Sequence, residues 1–420
     1  MFDVIIIGAG LAGLMAAYHA ARAGARVKIV AKGLGATHWH AGTIDVLGYY
    51  PTSATPVTHP LDTVRDLTRA QPQHPYALAA DTLDEALQNF VTLMQDVGLP
   101  YASATNAGDN VWLPSPVGAA RPTFLAPRAQ IAGDLRRAEP MLIVGFRGLR
   151  DFYPMLIAEN LTKQGHTARA EFLPLDVISA RRDVNTVQLA AALDDATRIE
   201  QLARALKNLA RPGERIGLPA ILGLDAHATT FEQFQARVGA PIFEIPTLPP
   251  SVPGVRLTNV LRNRLRQMGV RIEINADVIG FHAEGDRVMW IESEASGRPL
   301  KHRAEKFVLA TGGILGGGID SDHTGKVWEV VFNLPVIAPS ERAQWFRARF
   351  FDPAGHPIFR AGVPVNRHFQ PIDANGARVY ANVWAVGNVL AHSDSILERS
   401  LEGIALATAY AAHNALNTEY

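Results

Sequence analysis

Cysteine is absent from all 420 residues. Disulfide scaffolds, thiolate zinc sites, Cys-ligated iron–sulfur clusters and cysteine nucleophiles are therefore excluded. Electrons that leave this chain for an iron–sulfur cluster must pass to another polypeptide. Excess charge is lacking too: 40 Lys and Arg balance 40 Asp and Glu. That balance argues against a polybasic nucleic-acid binder and leaves only a local basic pocket open. Long apolar runs are scarce. Val4 to Ala21 is uncharged and about as long as a membrane span, but only Asp3 precedes it as a charge, whereas a signal peptide needs a basic start. Glycines at 8, 10 and 13 also interrupt the run, so no direct membrane span is expected.

Three glycine turns give the chain its clearest signal. Phe2 to Ile7 (FDVIII) reads as a buried parallel strand, and Gly8-x-Gly10-x-x-Gly13 opens an Ala-rich helix closed by Gly24. Arg26 to Val30 then gives a second strand, completing a βαβ unit. Glycines so placed permit a tight turn, close approach of backbone to a pyrophosphate and close helix–strand packing, with Ala9, Leu11 and Ala12 in the same turn. The second signal is the strand Lys306 to Ala310 running into Thr311-Gly312-Gly313, followed by Gly316 to Gly318. The third is the strand Val383 to Val386 entering Gly387-Asn388, which resembles the C-terminal flavin motif in which the residue after glycine contacts the ribityl chain. Three such turns in this order point to a flavin rather than a nicotinamide. One element departs from the pattern: Ala31 stands where an acidic residue would hold the adenosine ribose, and the neighbouring Lys32 reads as a surface lysine or a phosphate contact.

Other residues carry weaker signals. His38 and His40, in Ala36-Thr37-His38-Trp39-His40-Ala41-Gly42, follow the second strand on a loop expected to pass the flavin ring. Either imidazole is a candidate proton donor or acceptor, with Thr37 and Gly42 as cofactor contacts; a pair of plain hydrogen-bonding loop residues is the alternative. No metal site is expected, since His-x-His has no third ligand nearby. Ser251, Gly254 and Arg256 at the start of a helix predicted over 255–268 suggest a phosphate or carboxylate seat, with a rigid crossover as the alternative. Arg121, Arg342 and Arg360 are further anion candidates. Residues 51–73 read as a connection, 82–97 as a helix, and 141–220 as α/β. Residues 270–281 with 287–292 read as a hairpin, and four prolines over 246–254 read as a break in regular structure.

On these residues the sequence resembles the B-type subunit of anaerobic glycerol-3-phosphate dehydrogenase. The matching stretches are FDVIIIGAGLAGL, GATHWHAGTIDVLG, HPYAL, VGAARPTFLAP, IVGFRGLRDF, PTLPPSVPGVRLTNVLRNRLRQMG, FVLATGGILGGG and VWAVGN, in order along nearly the whole chain. The resemblance implies an α/β fold, a Rossmann-like FAD/NAD(P)-binding domain interrupted by a second α/β or α+β domain. The flavin domain is expected over 1–50, 246–320 and 376–420, and the inserted cap or partner domain over 51–245 with 321–375. It implies oxidation of glycerol 3-phosphate to dihydroxyacetone phosphate with electrons relayed to iron–sulfur and quinone acceptors. The partners implied are an FAD-bearing catalytic subunit and an iron–sulfur subunit at the membrane, with this chain cytoplasmic or peripheral at the inner face of the cell membrane.

The cofactor stays open at this point, because the pyrophosphate-type turn reads as FAD and the family resemblance implies FMN. The segment 395–403 (SILERSLEG) keeps only Gly403 of a glycine-rich loop and adds charges. Two other functions stay open beside the relay: a stand-alone flavin dehydrogenase of another hydroxy acid or polyol phosphate, and a non-catalytic assembly subunit with a degenerate flavin site.

Overall fold

A computed structural model describes residues 1–103, 108–179 and 183–418. The chain divides into two compact units, one of residues 1–36, 45–90 and 261–420, the other of residues 37–44 and 91–260. The segments 51–90 and 321–375, expected with the inserted part, pack within the first unit, whereas 37–44 and 246–260, expected with the flavin domain, belong with the second.

The first unit is built on a five-stranded parallel sheet. Strand β1 (Phe2–Ile7) lies centrally, with β2 (Val27–Ala31) and then Arg271–Ile274 on one side, and Ala304–Leu309 and then Val383–Ala385 on the other. Ile5 and Ile6 are wholly buried, as an apolar β-branched run between covered faces requires. Helix α1 (Leu11–Arg22) packs along the final helix, Leu401–Thr418. Alanines at 12, 16, 17 and 20 are buried against this neighbour and the sheet, which explains the helix's weak polar face. The register aligns Ile7 with Val30 and Leu309, and Leu309 with Ala385, so the three glycine turns leave the sheet at one edge, the carboxyl ends of the strands.

Two expectations in this unit need correction. Residues 270–281 are not one arm of a hairpin: Arg271–Ile274 joins the parallel sheet beside β2, with Ile274 opposite Ala31. The chain then turns through Asn275 at φ 62°, and only Val278–Glu284 pairs with Arg287–Ser293. The connection 51–73 contains a helix, Pro60–Ala70. Proline suits its first turn, Val64 and Leu67 are buried, and Asp62–Arg65 and Asp66–Arg69 pair along its outer face.

The second unit holds a four-stranded parallel sheet in the order Ile242–Ile245, Arg215–Pro219, Met141–Arg147, Ala168–Pro174. Helices Pro154–Lys163, Ala196–Lys207 and His227–Val238 contribute to one continuous apolar core with it. The helix that follows begins at Val252, earlier than predicted, because Pro253 falls in its first turn, where no intrahelical N–H is needed. Among the described residues, no helix is long and apolar enough to cross a membrane.

Each unit buries a neutral imidazole. Burial lowers the His19 pKa to about 3, helped by His413 and Arg22, and burial lowers His227 to about 4, helped by Arg256. Unfolded, both titrate near 6.5, so at intermediate pH the unfolded chain binds protons that the native chain refuses. Their stabilisation is complete above about pH 6.5 and is lost as pH falls. Between pH 7.5 and 5.5 the loss is about 1.4 kcal/mol per histidine. Urea midpoints measured at the two pH values should therefore fall, and an unmoved midpoint would contradict this account.

Candidate functional site

The β1–α1 turn is shaped by contacts that exclude side chains. Gly8 has φ +114°, and a Cβ there would stand 2.3 Å from the Ala310 carbonyl oxygen. A Cβ on Gly13 would lie 2.1 Å from the Gly8 oxygen, so α1 starts directly against the turn. Gly35, at φ +76°, closes over the same turn, its would-be Cβ 2.6 Å from Gly10 Cα. By contrast a Cβ on Gly10 would meet nothing within 4 Å. Gly10 also offers no side-chain cap to α1, whose first turn carries no acidic residue. An open approach to an uncapped helix N-terminus is the environment a pyrophosphate requires.

The other two turns converge on the first. Gly8 already meets Ala310 and Thr311. A Cβ on Gly313 would come within 2.6 Å of the Asn388 carbonyl oxygen, and one on Gly387 within 2.7 Å of the Ala12 Cβ. The Gly387 amide donates to Thr408 Oγ1 on the last helix, which anchors that turn. Thr311 Oγ1 is buried without a hydrogen-bond partner among the described residues. Gly8 to Gly13, Thr311 to Gly313 and Gly387-Asn388 are thus one cluster, and its glycine cradle, helix end and unpaired hydroxyl fit a flavin dinucleotide. At the end of β2, Ala31 is within the sheet and Lys32 is a surface residue paired with Asp277 at 2.8 Å.

The altered loop 395–403 has a structural explanation. Glu398 is buried, where it accepts hydrogen bonds from the Asp394 amide, Ser400 Oγ and His74 Nε2. Arg399 faces Asp45 at 3.5 Å, and a Cβ on Gly403 would strike the Tyr76 hydroxyl. The added charges tie this loop to the HPYAL segment.

The remaining candidates belong to the second unit. His40 Nδ1 accepts from the Gly42 amide at 2.7 Å, which places the ring proton of neutral His40 on Nε2. His38 sits edge-on to Trp39. This loop packs on the helix start at 252: Gly42 abuts Pro253, and Gly254 abuts the carbonyls of Thr37 and His40. Arg121 is buried and donates to Thr43 Oγ1 at 2.8 Å. The structure thus joins His38, His40, Gly42 and the 251–254 turn in one assembly, with Arg121 at the far end of the loop.

Two anion candidates have partners of their own within the chain. Arg256 is buried with its guanidinium committed, its two terminal nitrogens to the Glu244 carboxylate at 2.5 and 3.0 Å and its Nε to the Gly223 carbonyl. Burial alone would raise the Glu244 pKa, but the charge of Arg256 and hydrogen bonds from Arg256 and Leu222 hold it below the usual range. An acid on a strand twelve residues earlier gave no local warning of this pair. Gly254 is covered by the 37–40 backbone, so of the expected seat only Ser251 keeps a buried hydroxyl without a partner among the described residues. Arg342 is an exposed residue that donates to the Asp322 carbonyl and lies near the Trp345 ring.

These features define a flavin-dependent oxidoreductase class, and the family pattern described as FAD binding domain matches residues 3–404. A probable anaerobic glycerol-3-phosphate dehydrogenase B-type subunit from Halobacterium salinarum is 32% identical over 98% of this chain and 97% of that protein. The corresponding B-type subunit of anaerobic glycerol-3-phosphate dehydrogenase from Yersinia pestis is 32% identical over 97% and 96%. Among solved structures, 3-ketosteroid Δ1-dehydrogenase from Sterolibacterium denitrificans superposes with a TM-score of 0.46 at 11% identity, covering 99% of this chain and 100% of that one. The chain belongs to the family of anaerobic glycerol-3-phosphate dehydrogenase B-type subunits, within the FAD-binding class.

Proposed function

We propose that this chain is the flavin-bearing subunit of a complex that oxidises glycerol 3-phosphate to dihydroxyacetone phosphate and relays the electrons towards quinone. The observation that carries the reading is full-length similarity to the B-type subunits combined with three glycine turns meeting at one sheet edge. A bound flavin supplies two-electron acceptance and one-electron release. The chain's own part is to hold the dinucleotide with the Gly8–Gly13 turn, the α1 N-terminus, Thr311 to Gly313 and Asn388. His38 or His40 holds or delivers the proton that accompanies electron transfer. The next carrier in this reading is the iron–sulfur partner that the family resemblance implies, which brings the complex to the inner face of the membrane; a chain without cysteine holds no Cys-ligated cluster of its own.

Purification followed by a visible spectrum and chromatography of acid-released cofactor tests the reading. FAD is the expected product, because FMN has no pyrophosphate for the Gly8–Gly13 turn. Released FMN would overturn the account of that turn, and a colourless protein that refuses added flavin would favour an assembly subunit. Bleaching of the flavin by substrate without any partner would favour a stand-alone dehydrogenase. His38→Ala should keep its flavin and lose roughly 10²-fold in turnover within the complex; full turnover would remove His38 from proton transfer.

A further inference from the structure

The first unit contains a cleft of about 550 Å³ lined by none of the glycine-turn residues, within the size range that holds small ligands. Ile337, Ala338, Pro339 and Pro357 contribute apolar walls, while Arg360 and His392 contribute the basic groups. Arg360 is half-buried, and its guanidinium has no hydrogen bond or ion pair among the described residues. Its donors are therefore open to an anion that enters the cleft. Asp394 feels the Arg360 charge but forms no ion pair with it: the carboxylate is buried, accepts from the Leu397 amide, and burial pushes its pKa upward.

The two basic groups are fixed side by side by the backbone. The His392 amide donates to the Arg360 carbonyl at 3.1 Å, and Gly362 packs directly against the backbone of Leu390 and Ala391. His392 holds φ +78°, a conformation non-glycine residues seldom adopt and one that recurs at ligand clamps. Burial and then His74 keep the His392 imidazole below its ordinary pKa, so at neutral pH it is an uncharged ring with one N–H to donate. His74 is itself buried and locked: its Nδ1 accepts from the Tyr76 amide and its Nε2 donates to Glu398.

We propose that this cleft binds a small oxyanion, with the Arg360 guanidinium and the His392 imidazole as its donors. A planar fork of N–H groups beside a single imidazole N–H matches the terminal oxygens of a phosphate monoester or a carboxylate. The proposal goes beyond the relay reading, because it gives the chain a ligand of its own and binding is read on the isolated protein.

Calorimetric titration of the full-length, flavin-loaded protein tests it with four probes: glycerol 3-phosphate, inorganic phosphate, succinate and, as the neutral control, glycerol. Saturable binding of at least one anion and none of glycerol is expected. Preference for the phosphoryl probes would assign a phosphate monoester, and preference for succinate a carboxylate. Arg360→Gln should weaken binding by about tenfold or more while the flavin spectrum is unchanged. His392→Asn, which tolerates the same positive φ, should weaken it too, and it decides the matter if Arg360→Gln loses its flavin. Absence of anion binding up to about 10 mM, or binding unaltered by these substitutions, would overturn the proposal. Failure here leaves the acid-released cofactor and the turnover of the complex untouched, so the two readings fail separately.

Discussion

Gly10→Val should leave the chain folded and empty it of flavin, whereas Gly13→Ala should damage both. The two glycines are three residues apart in one turn, yet they face different surroundings. A side chain on Gly10 enters open space at an ordinary φ of −72°. Stability should therefore stay within about 1 kcal/mol, the scale of replacing one helix cap. That same open space is where the backbone admits a pyrophosphate, so a branched side chain excludes the ligand. On Gly13 the Cβ would lie 2.1 Å from the Gly8 carbonyl oxygen, a backbone atom within a turn that Ala310 also braces. Either α1 or the turn must move, at about 3 kcal/mol or more. Absorbance per protein and urea midpoints read the two effects independently. Flavin retained at parental stoichiometry in Gly10→Val would sink the pyrophosphate account of the turn.

The contrast also marks what the sequence made legible. The βαβ unit and its glycines are local, so their spacing carried them: FDVIII, the fingerprint and Gly24 all fall where expected. Convergence of the three turns was anticipated only through their order, since the contacts Gly313–Asn388 and Ala12–Gly387 join residues 75 and 375 positions apart. Helix 60–70 was hidden by its proline, whose place in a first turn is favourable rather than disruptive. Charges near 398 looked like damage to a flavin loop. Glu398 is instead the partner of His74 and Arg399 that of Asp45, and for Glu398 the signal was the separate HPYAL segment that supplies His74. Arg360 was visible as a candidate anion contact, but its closeness to His392 depends on tertiary packing that no short window of sequence contains.

Arg256→Ala should be among the most destabilising single changes in the second unit, at about 3–5 kcal/mol. The reason is the partner left behind. Glu244 is fully enclosed, and without the guanidinium its polar neighbours among the described residues are the Leu222 amide and the edge of His227 at 3.8 Å. An isolated buried carboxylate either takes up a proton or unfolds its surroundings. The folded pKa of Glu244 is depressed, so the pair stabilises the protein above the ordinary glutamate range and the benefit disappears as pH falls through the folded pKa. The cost of Arg256→Ala should therefore shrink in acid. Pairing Arg256→Met with Glu244→Gln should recover much of the loss, because the amide oxygen still serves Leu222 and no charge remains buried. Had Arg256 served as an anion seat, the outcome would be the reverse. The single variant would keep its urea midpoint and lose only ligand binding, and the double variant would restore nothing. A double-mutant cycle in urea decides between these, since coupling of several kcal/mol arises only when the two side chains answer each other.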